Sequence, residues 1–457
     1  MPKNLQPKIL LLLMALVLTT SGFSCKLFPS KQASPALTKP IELNYWGVWD
    51  EPAFLTPLIS AFQALHPNIK IKYSRFRFNE YEQKLLEAWA ADRGPDLYSL
   101  PASWLGKYQN FITPQPATVQ LAFEQVTKTL GQEERSTVVR GVPIFSPADI
   151  KNKFVDQVYD DVVRDGKIYG LPYSLDSLVL IYNRDLLDKA GIATPPANWD
   201  EVAEATSKIS QIDLNNNPVQ SGIALGTADN INNAVDIVSL LMLQNGTLMT
   251  DKAGRAAFDK KADGGDNYYP GLSALNFYTD FADPLKQVYS WNDKQQNSLD
   301  AFVAGKLGLT LGYTYQLREI KGRAPKINLG VAPLPQIKNS AKQINYTNYW
   351  AETVSHKTNN LEAAWGFLNF AAGQDQVVKY LAIAKKPSAL RALINAQKDD
   401  PEIGVFAEQT LTAQNWYQGA DQLKMEGIIK DLIKNFATAP DQLKLLQNAA
   451  AKVNQTL

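Results

Sequence analysis

Aromatic rings beside short polar side chains are the residues of this chain best suited to do chemistry. They fall where strands should end or break: Trp46, Trp49, Asp50 and Glu51; Ser99 and Trp104; Tyr173 and Asp176; Trp291; Tyr313 and Tyr315; Tyr349 and Trp350; Trp416. A flat ring offers a broad apolar face, and Tyr or Trp adds a polar edge. A carboxylate accepts hydrogen bonds, and charge-assisted bonds are the stronger kind. Rings and acids together suit a ligand with C–H faces and a rim of hydroxyls, the form of a sugar. Asp96 and Asn183 also sit at breaks, Asp96 where it can cap the turn after Gly94-Pro95. Arg391 follows the Lys385-Lys386-Pro387-Ser388 break and is expected to face solvent.

Other chemistries find less support. The two histidines, His66 and His356, are far apart, with no His/Cys spacing of the zinc type, and are expected at the surface. Asp213-Leu-Asn-Asn-Asn217 has some calcium-loop character. Pro218 stands where that loop needs glycine and Ala224 where it needs an acid, so a turn is the reading. The glycines from Gly305 to Gly312 lack the Gly-Lys-Ser/Thr of a phosphate loop. No cofactor, metal or catalytic residue is expected. Lys and Arg number 46 against 45 Asp and Glu, without a run of one sign, so the basic footprint of a nucleic-acid binder is missing. Few basic residues at the strand ends argue against an anionic ligand.

The elements that must position these groups begin with a βαβαβ series. Glu42 to Trp46 reads as a strand, and Pro52 opens a helix whose stripe is Phe54, Leu55, Leu58, Ile59, Phe62 and Leu65. Ile69, Ile71 and Tyr73 alternate as in a strand, Tyr81 to Arg93 is helical, and Asp96 to Leu100 is a third strand. This order implies parallel strands, and open parallel sheets bind ligands beyond their carboxyl ends. Residues 111 to 154 read as a surface elaboration containing a polar, helix-like stretch. From Asp165-Gly166 the chain makes a turn, a strand broken at Pro172, a second strand over Ser177 to Tyr182, and a short helix closed by Gly191. Further strands are expected at Gly222 to Leu225, before Tyr313 and from Leu329. Most of the C-terminal third is expected to be helical.

The ends carry their own signals. Lys3 and Lys8 precede an apolar core, Ile9 to Leu18, shorter than the about 20 residues a membrane-spanning helix needs. Residues 1–24 therefore read as an export signal. Cys25 is the single cysteine, so it forms no internal disulfide. Residues 25–40, rich in Ser, Pro, Ala and Lys, read as a flexible tether.

Several segments together resemble the extracellular solute-binding proteins that feed sugars to ABC transporters, maltose-binding-protein-like members of solute-binding family 1. They are the Trp46-ended strand, the helix from Phe62 to Pro67, Gly94-Pro95-Asp96, and the run from Asp165 to Asp185. Phe302-Val-Ala-Gly-Lys306 and the helix around Leu361-Glu-Ala-Ala-Trp365 continue the resemblance. It covers nearly all of residues 41 to 457. It implies an α/β, two-lobe periplasmic-binding-protein-like fold (type II), each lobe a mostly parallel sheet flanked by helices. Three crossings are expected near 174–179, 307–312 and 347–353. The expected lobes are 41–175 with 311–348, and 176–310 with 349–457.

The resemblance implies capture of a mono- or oligosaccharide in the cleft and delivery to the permease transmembrane subunits by hinge closure. The protein would be a monomer and not an enzyme. Cys25 looks like a lipid-acceptor cysteine that would anchor it to the membrane on the cell surface or in the periplasm. The preceding Gly22-Phe23-Ser24 departs from the family's leucine-like and small pair, which leaves ordinary cleavage as the alternative. The rival functions are binding of a peptide or polyamine, an exported carbohydrate-active enzyme, and a purely adhesive surface protein.

Overall fold

A computed structural model describes residues 37–129, 132–262 and 267–457. The export signal, Cys25 and nearly all of the tether lie outside the described residues. Among the described residues no helix is long and apolar enough to cross a membrane.

The first lobe is built on a four-stranded sheet in the order Trp350–Val354, Leu97–Pro101, Ile41–Gly47, Ile69–Arg75. The last three are parallel, as the βαβαβ series requires. Alternation along Ile41–Gly47 turns Leu43 and Tyr45 fully inward. Pro52 sits in the first turn of the helix Pro52–Leu65, where its missing N–H costs nothing, and Leu55, Leu58 and Phe62 form the buried stripe. The helix Phe78–Ala90 buries Tyr81, Leu85 and Trp89. Trp350–Val354 runs antiparallel along Leu97–Pro101 and sets Glu352 opposite Ser99.

The second lobe carries a five-stranded sheet in the order Gln211–Ile212, Pro218–Ile223, Leu307–Gly312, Val179–Asn183, Leu329–Ala332. The expected mostly parallel arrangement holds in the first lobe. The second sheet is mixed, because Val179–Asn183 runs antiparallel to both its neighbours. Two separate hydrophobic cores result, one per lobe.

The lobe boundaries differ from the expected ones. Leu307–Gly312 is buried at every residue in the middle of the second sheet, so 307–312 is no crossing. The turn at Gly305, which has a positive φ, joins a second-lobe helix to a second-lobe strand. Residues 311–334 therefore belong to the second lobe. Residues 349–394 belong to the first, where Phe367 and Phe370 pack edge-on or tilted against Phe62. The chain passes between lobes at 176–177, at 345–348, and a third time between Ile394 and Phe406. The strands Asp176–Ser177, Asn345–Asn348 and Ala413–Gln414 form a small sheet between the cores. Residues 111 to 154 also depart from expectation. Their polar stretch is an antiparallel hairpin, Gln120–Thr129 with Gln132–Gly141. Its base is buried at Leu121, while Glu124 to Lys128 and Arg135 to Thr137 are exposed. His66 is buried rather than at the surface: its ring lies on Phe62 and Phe123, and Nδ1 is 2.8 Å from the Ala122 carbonyl oxygen.

Candidate functional site

Between the lobes lies a cavity of about 430 Å³. The carboxyl ends of two parallel strands supply its first-lobe wall: Trp49 and Asp50 beyond Ile41–Gly47, Ser99 and Trp104 at the end of Leu97–Pro101. Trp350 and Glu352 join them from the antiparallel edge strand. The second-lobe wall comes from the first turn of Thr314–Arg323, with Tyr313, Thr314, Tyr315 and Arg318, and from the helix Gln422–Phe436. Tyr173, Asp176 and Tyr349 enter from the crossing segments.

The rings stack from one lobe to the other. Phe78 lies 5.8 Å from Trp49 at 26°, and Trp49 lies 5.9 Å from Tyr315 of the second lobe at 19°. Trp350 meets Trp49 edge-on at 6.4 Å. Trp49 keeps 46% of its surface exposed and Tyr315 42%, so neither residue is sealed between its neighbours. Two other tyrosines of the cavity are more committed. Tyr313 donates to Asp236 (2.8 Å) and Tyr349 to Asp161 (2.7 Å), so each offers a ring but not its proton.

The acids fall into distinct roles. Asp50 Oδ1 accepts from Lys386 Nζ at 2.6 Å and Tyr380 Oη at 2.8 Å, which fixes its direction at the wall. Glu352 is fully buried apart from a small cavity-facing surface, and its Oε2 accepts from both Tyr45 Oη and Ser99 Oγ at 2.6 Å. Burial pushes the Glu352 carboxyl up to about 7, with the Asp50 charge adding to the rise against those two hydrogen bonds. Asp176 accepts from Thr314 N–H (3.1 Å) and Thr314 Oγ1 (2.5 Å), so it caps the helix carrying Tyr315. Anionic groups at helix N-termini are favoured by the backbone dipole. Burial nonetheless raises Asp176 to about 6.

Of the residues expected from sequence, the cavity gathers Trp49, Asp50, Ser99, Trp104, Tyr173, Asp176, Tyr313, Tyr315, Tyr349 and Trp350. Four lie elsewhere. Strand alternation turns Trp46 onto Phe76, 4.6 Å away. Glu51 pairs with Arg75 on the surface. Trp291 is wholly buried in the second core, with its N–H on Asn230. Trp416 packs on Phe258 and Tyr417 and donates to Ser239. Asp96 is structural: it accepts from Asn44 N–H and Thr358 Oγ1. Arg391 donates to the Phe154 carbonyl and pairs with Asp156, away from the cavity. Asp213 closes its own turn by accepting from Asn215 and Asn217 N–H. Among the described residues no cluster of His, Cys, Asp and Glu could hold a metal.

The sequence reading missed Phe78, Arg318, Glu352, Tyr380, Lys386, Gln422 and Glu426. Glu352 was within reach, since it lies two residues after Trp350 and a strand puts both on one face. Lys386 stands in the Lys385-Lys386-Pro387-Ser388 break, where a lysine most often faces solvent. Tyr380, Gln422 and Glu426 carry no local signal, because ordinary amphipathic helices present the same residues.

A family model for bacterial extracellular solute-binding proteins matches residues 46–378, and the chain belongs to this family. It is 23% identical over 393 residues to the maltotriose-binding protein of Pyrococcus abyssi, covering 83% of this chain and 74% of that one. It is 21% identical to the galactooligosaccharide-binding protein of Bacillus subtilis over 82% of this chain and 78% of that one. The solved structure of the cyclic α-maltosyl-1,6-maltose binding protein of Arthrobacter globiformis shares the fold, with TM-score 0.71 at 19% identity, over 91% of this chain and 98% of that one.

Proposed function

We propose that this protein captures an uncharged saccharide in the inter-lobe cavity and delivers it to the permease of an ABC importer. The observation that carries the reading is the ring row running from Phe78 and Trp49 in one lobe to Tyr315 in the other. A ligand stacked there touches both lobes at once, so its binding favours the arrangement in which they are closed together. Such a shift requires different affinities for the two arrangements. The polar wall supports a ligand rich in hydrogen-bond donors. Asp50 and Glu352 are acceptors, while Lys386 is occupied by Asp50, and Arg318 by the Ala384 carbonyl. Hydroxyls meet that need; phosphates and carboxylates bring only further acceptors. Relatives named for maltotriose and galactooligosaccharide support the same class. The protein works outside the cytoplasm, in keeping with its family, held to a membrane by lipid on Cys25 with residues 26–40 as the spacer.

Capture needs tight but reversible binding; a micromolar dissociation constant corresponds to about −8 kcal/mol. A thermal-shift screen over neutral saccharides, peptides and polyamines tests the assignment. Saturating ligand at a hundred times its Kd should stabilise the protein by about 2.7 kcal/mol, a rise of several degrees in Tm. Shifts with peptides or polyamines alone would overturn the saccharide assignment. No shift with any small molecule would favour an adhesive role, and turnover of an oligosaccharide would favour an enzyme.

A further inference from the structure

Two hydroxyls converge on one oxygen of Glu352 and leave the other without a protein partner. Oε2 accepts from Tyr45 Oη and from Ser99 Oγ, each at 2.6 Å. Oε1 accepts from none of the described residues, and it is not among their sealed, unpartnered polar atoms. Glu352 lines the cavity and is 4% exposed, so the little surface it keeps includes Oε1. Among the described residues no cation pairs with this carboxyl. The ammonium of Lys386 is held by Asp50 Oδ1 at 2.6 Å and Tyr380 Oη at 3.0 Å. The Asp50 charge opposes ionisation of Glu352, and Lys386 favours it. The remaining groups around it, Tyr45, Tyr73, Tyr81, Tyr173 and Tyr380, are phenols that burial keeps protonated. A carboxyl buried without a counter-ion resists ionisation, and burial pushes Glu352 up to about 7. With both hydroxyls donating to Oε2, the proton of the neutral acid sits on Oε1.

We propose that a sugar hydroxyl docks on Glu352 Oε1 and that Glu352 sheds its proton as this happens, so that capture of the saccharide is coupled to proton release. This coupling rests on the saccharide reading above. The Oε1–H bond breaks and its proton passes to solvent as the sugar enters. The sugar hydroxyl keeps its own hydrogen and donates it to the freed oxygen. Two effects compete. A hydrogen bond to an ionised acceptor is worth more than one to a neutral group, which favours the carboxylate. Displaced water takes solvation away, which favours the acid. At 4% exposure little solvation is left to lose, so the charge-assisted bond wins. Asp176 lacks this freedom, because Ser177 N–H holds its Oδ1 and Thr314 its Oδ2.

Isothermal titration calorimetry with maltotriose, β-1,4-galactotriose and β-1,4-mannotriose tests the coupling. Runs at pH 6.5 in phosphate and in Tris, whose ionisation enthalpies differ, count the protons exchanged. For the trisaccharide that binds, wild-type protein should release about half a proton at pH 6.5, and its Kd should weaken about five- to tenfold from pH 8 to pH 5.5. Glu352→Gln has no proton to shed, so its Kd should stay within about twofold over that range and its proton count should fall near zero. Binding by the wild type with no proton exchange and a level pH profile would overturn the coupling and leave the saccharide reading standing. A Glu352→Gln profile as steep as the wild type's would assign the proton to another acid and overturn it as well. Absence of binding by all three trisaccharides would count against the saccharide reading, and the coupling would fall with it.

Discussion

Replacing Trp49 with alanine should weaken saccharide binding by about 2 kcal/mol or more, roughly thirtyfold, with little change in the stability of the free protein. Trp49 is the ring that touches Phe78, Trp350 and Tyr315, so it sits at the meeting point of both lobes. Central aromatic residues of this kind dominate binding energies when truncated. Its side chain is 46% exposed, so removing it leaves no sealed core void of the type that costs several kcal/mol. Phenylalanine at 49 should recover part of the affinity, because the stacking face returns. Titration of the two variants beside the wild type, with Tm measured on the free proteins, checks both halves. A loss below about threefold for alanine would mean that the ligand does not stack on this ring.

Glu352 should make the protein lose stability as the pH rises. Its folded-state carboxyl titrates at about 7 against an ordinary value of 4.5, so the folded state holds the proton more tightly than the unfolded chain does. The resulting stabilisation is fully present below pH of about 4.5 and is lost as the pH rises through about 7. At 1.36 kcal/mol per pH unit the difference amounts to about 3 kcal/mol. Asp176, raised to about 6, acts in the same direction. Glu352→Gln keeps an acceptor for the Tyr45 and Ser99 hydroxyls while removing the charge. The variant should match the wild type near pH 5 and exceed it by up to about 3 kcal/mol at pH 8, several degrees in Tm. Parallel melting curves at both pH values decide the matter. An equal offset between wild type and variant at pH 5 and pH 8 would show that Glu352 is ionised throughout or never.

The aromatic wall was legible because its residues stand where local patterns break. Trp49 precedes Asp50-Glu51-Pro52, and Tyr315 follows a glycine-flanked strand end; such positions lie beyond the carboxyl ends of strands, where an open sheet exposes its ligand groups. The same local logic nominated Trp291 and Trp416, whose burial depends on helices packed from other parts of the chain. No neighbouring residue distinguishes a tryptophan facing a cavity from one facing a core. The lobe boundaries failed for a related reason. Trp350–Val354 joins the first sheet by pairing with Leu97–Pro101, a partner remote in sequence, and only that pairing draws the following helices into the first lobe. Gly305-Lys306 looked like a return to the first lobe, but a turn signal fixes a change of direction and not the body the chain enters. The hairpin at 120–141 was hidden by its composition. From Glu124 to Thr137 it lacks the apolar alternation that marks a half-buried strand, and its flanks Glu124 to Lys128 and Arg135 to Thr137 are exposed at every residue.

The most direct test is a crystal structure with a bound saccharide from the series that shifts the melting temperature. The sugar should lie between the lobes with a C–H face on Trp49 or Tyr315 and its hydroxyls donating toward Asp50 and Glu352. Density for the sugar on an outer face of either lobe, with the inter-lobe rings untouched, would contradict the account.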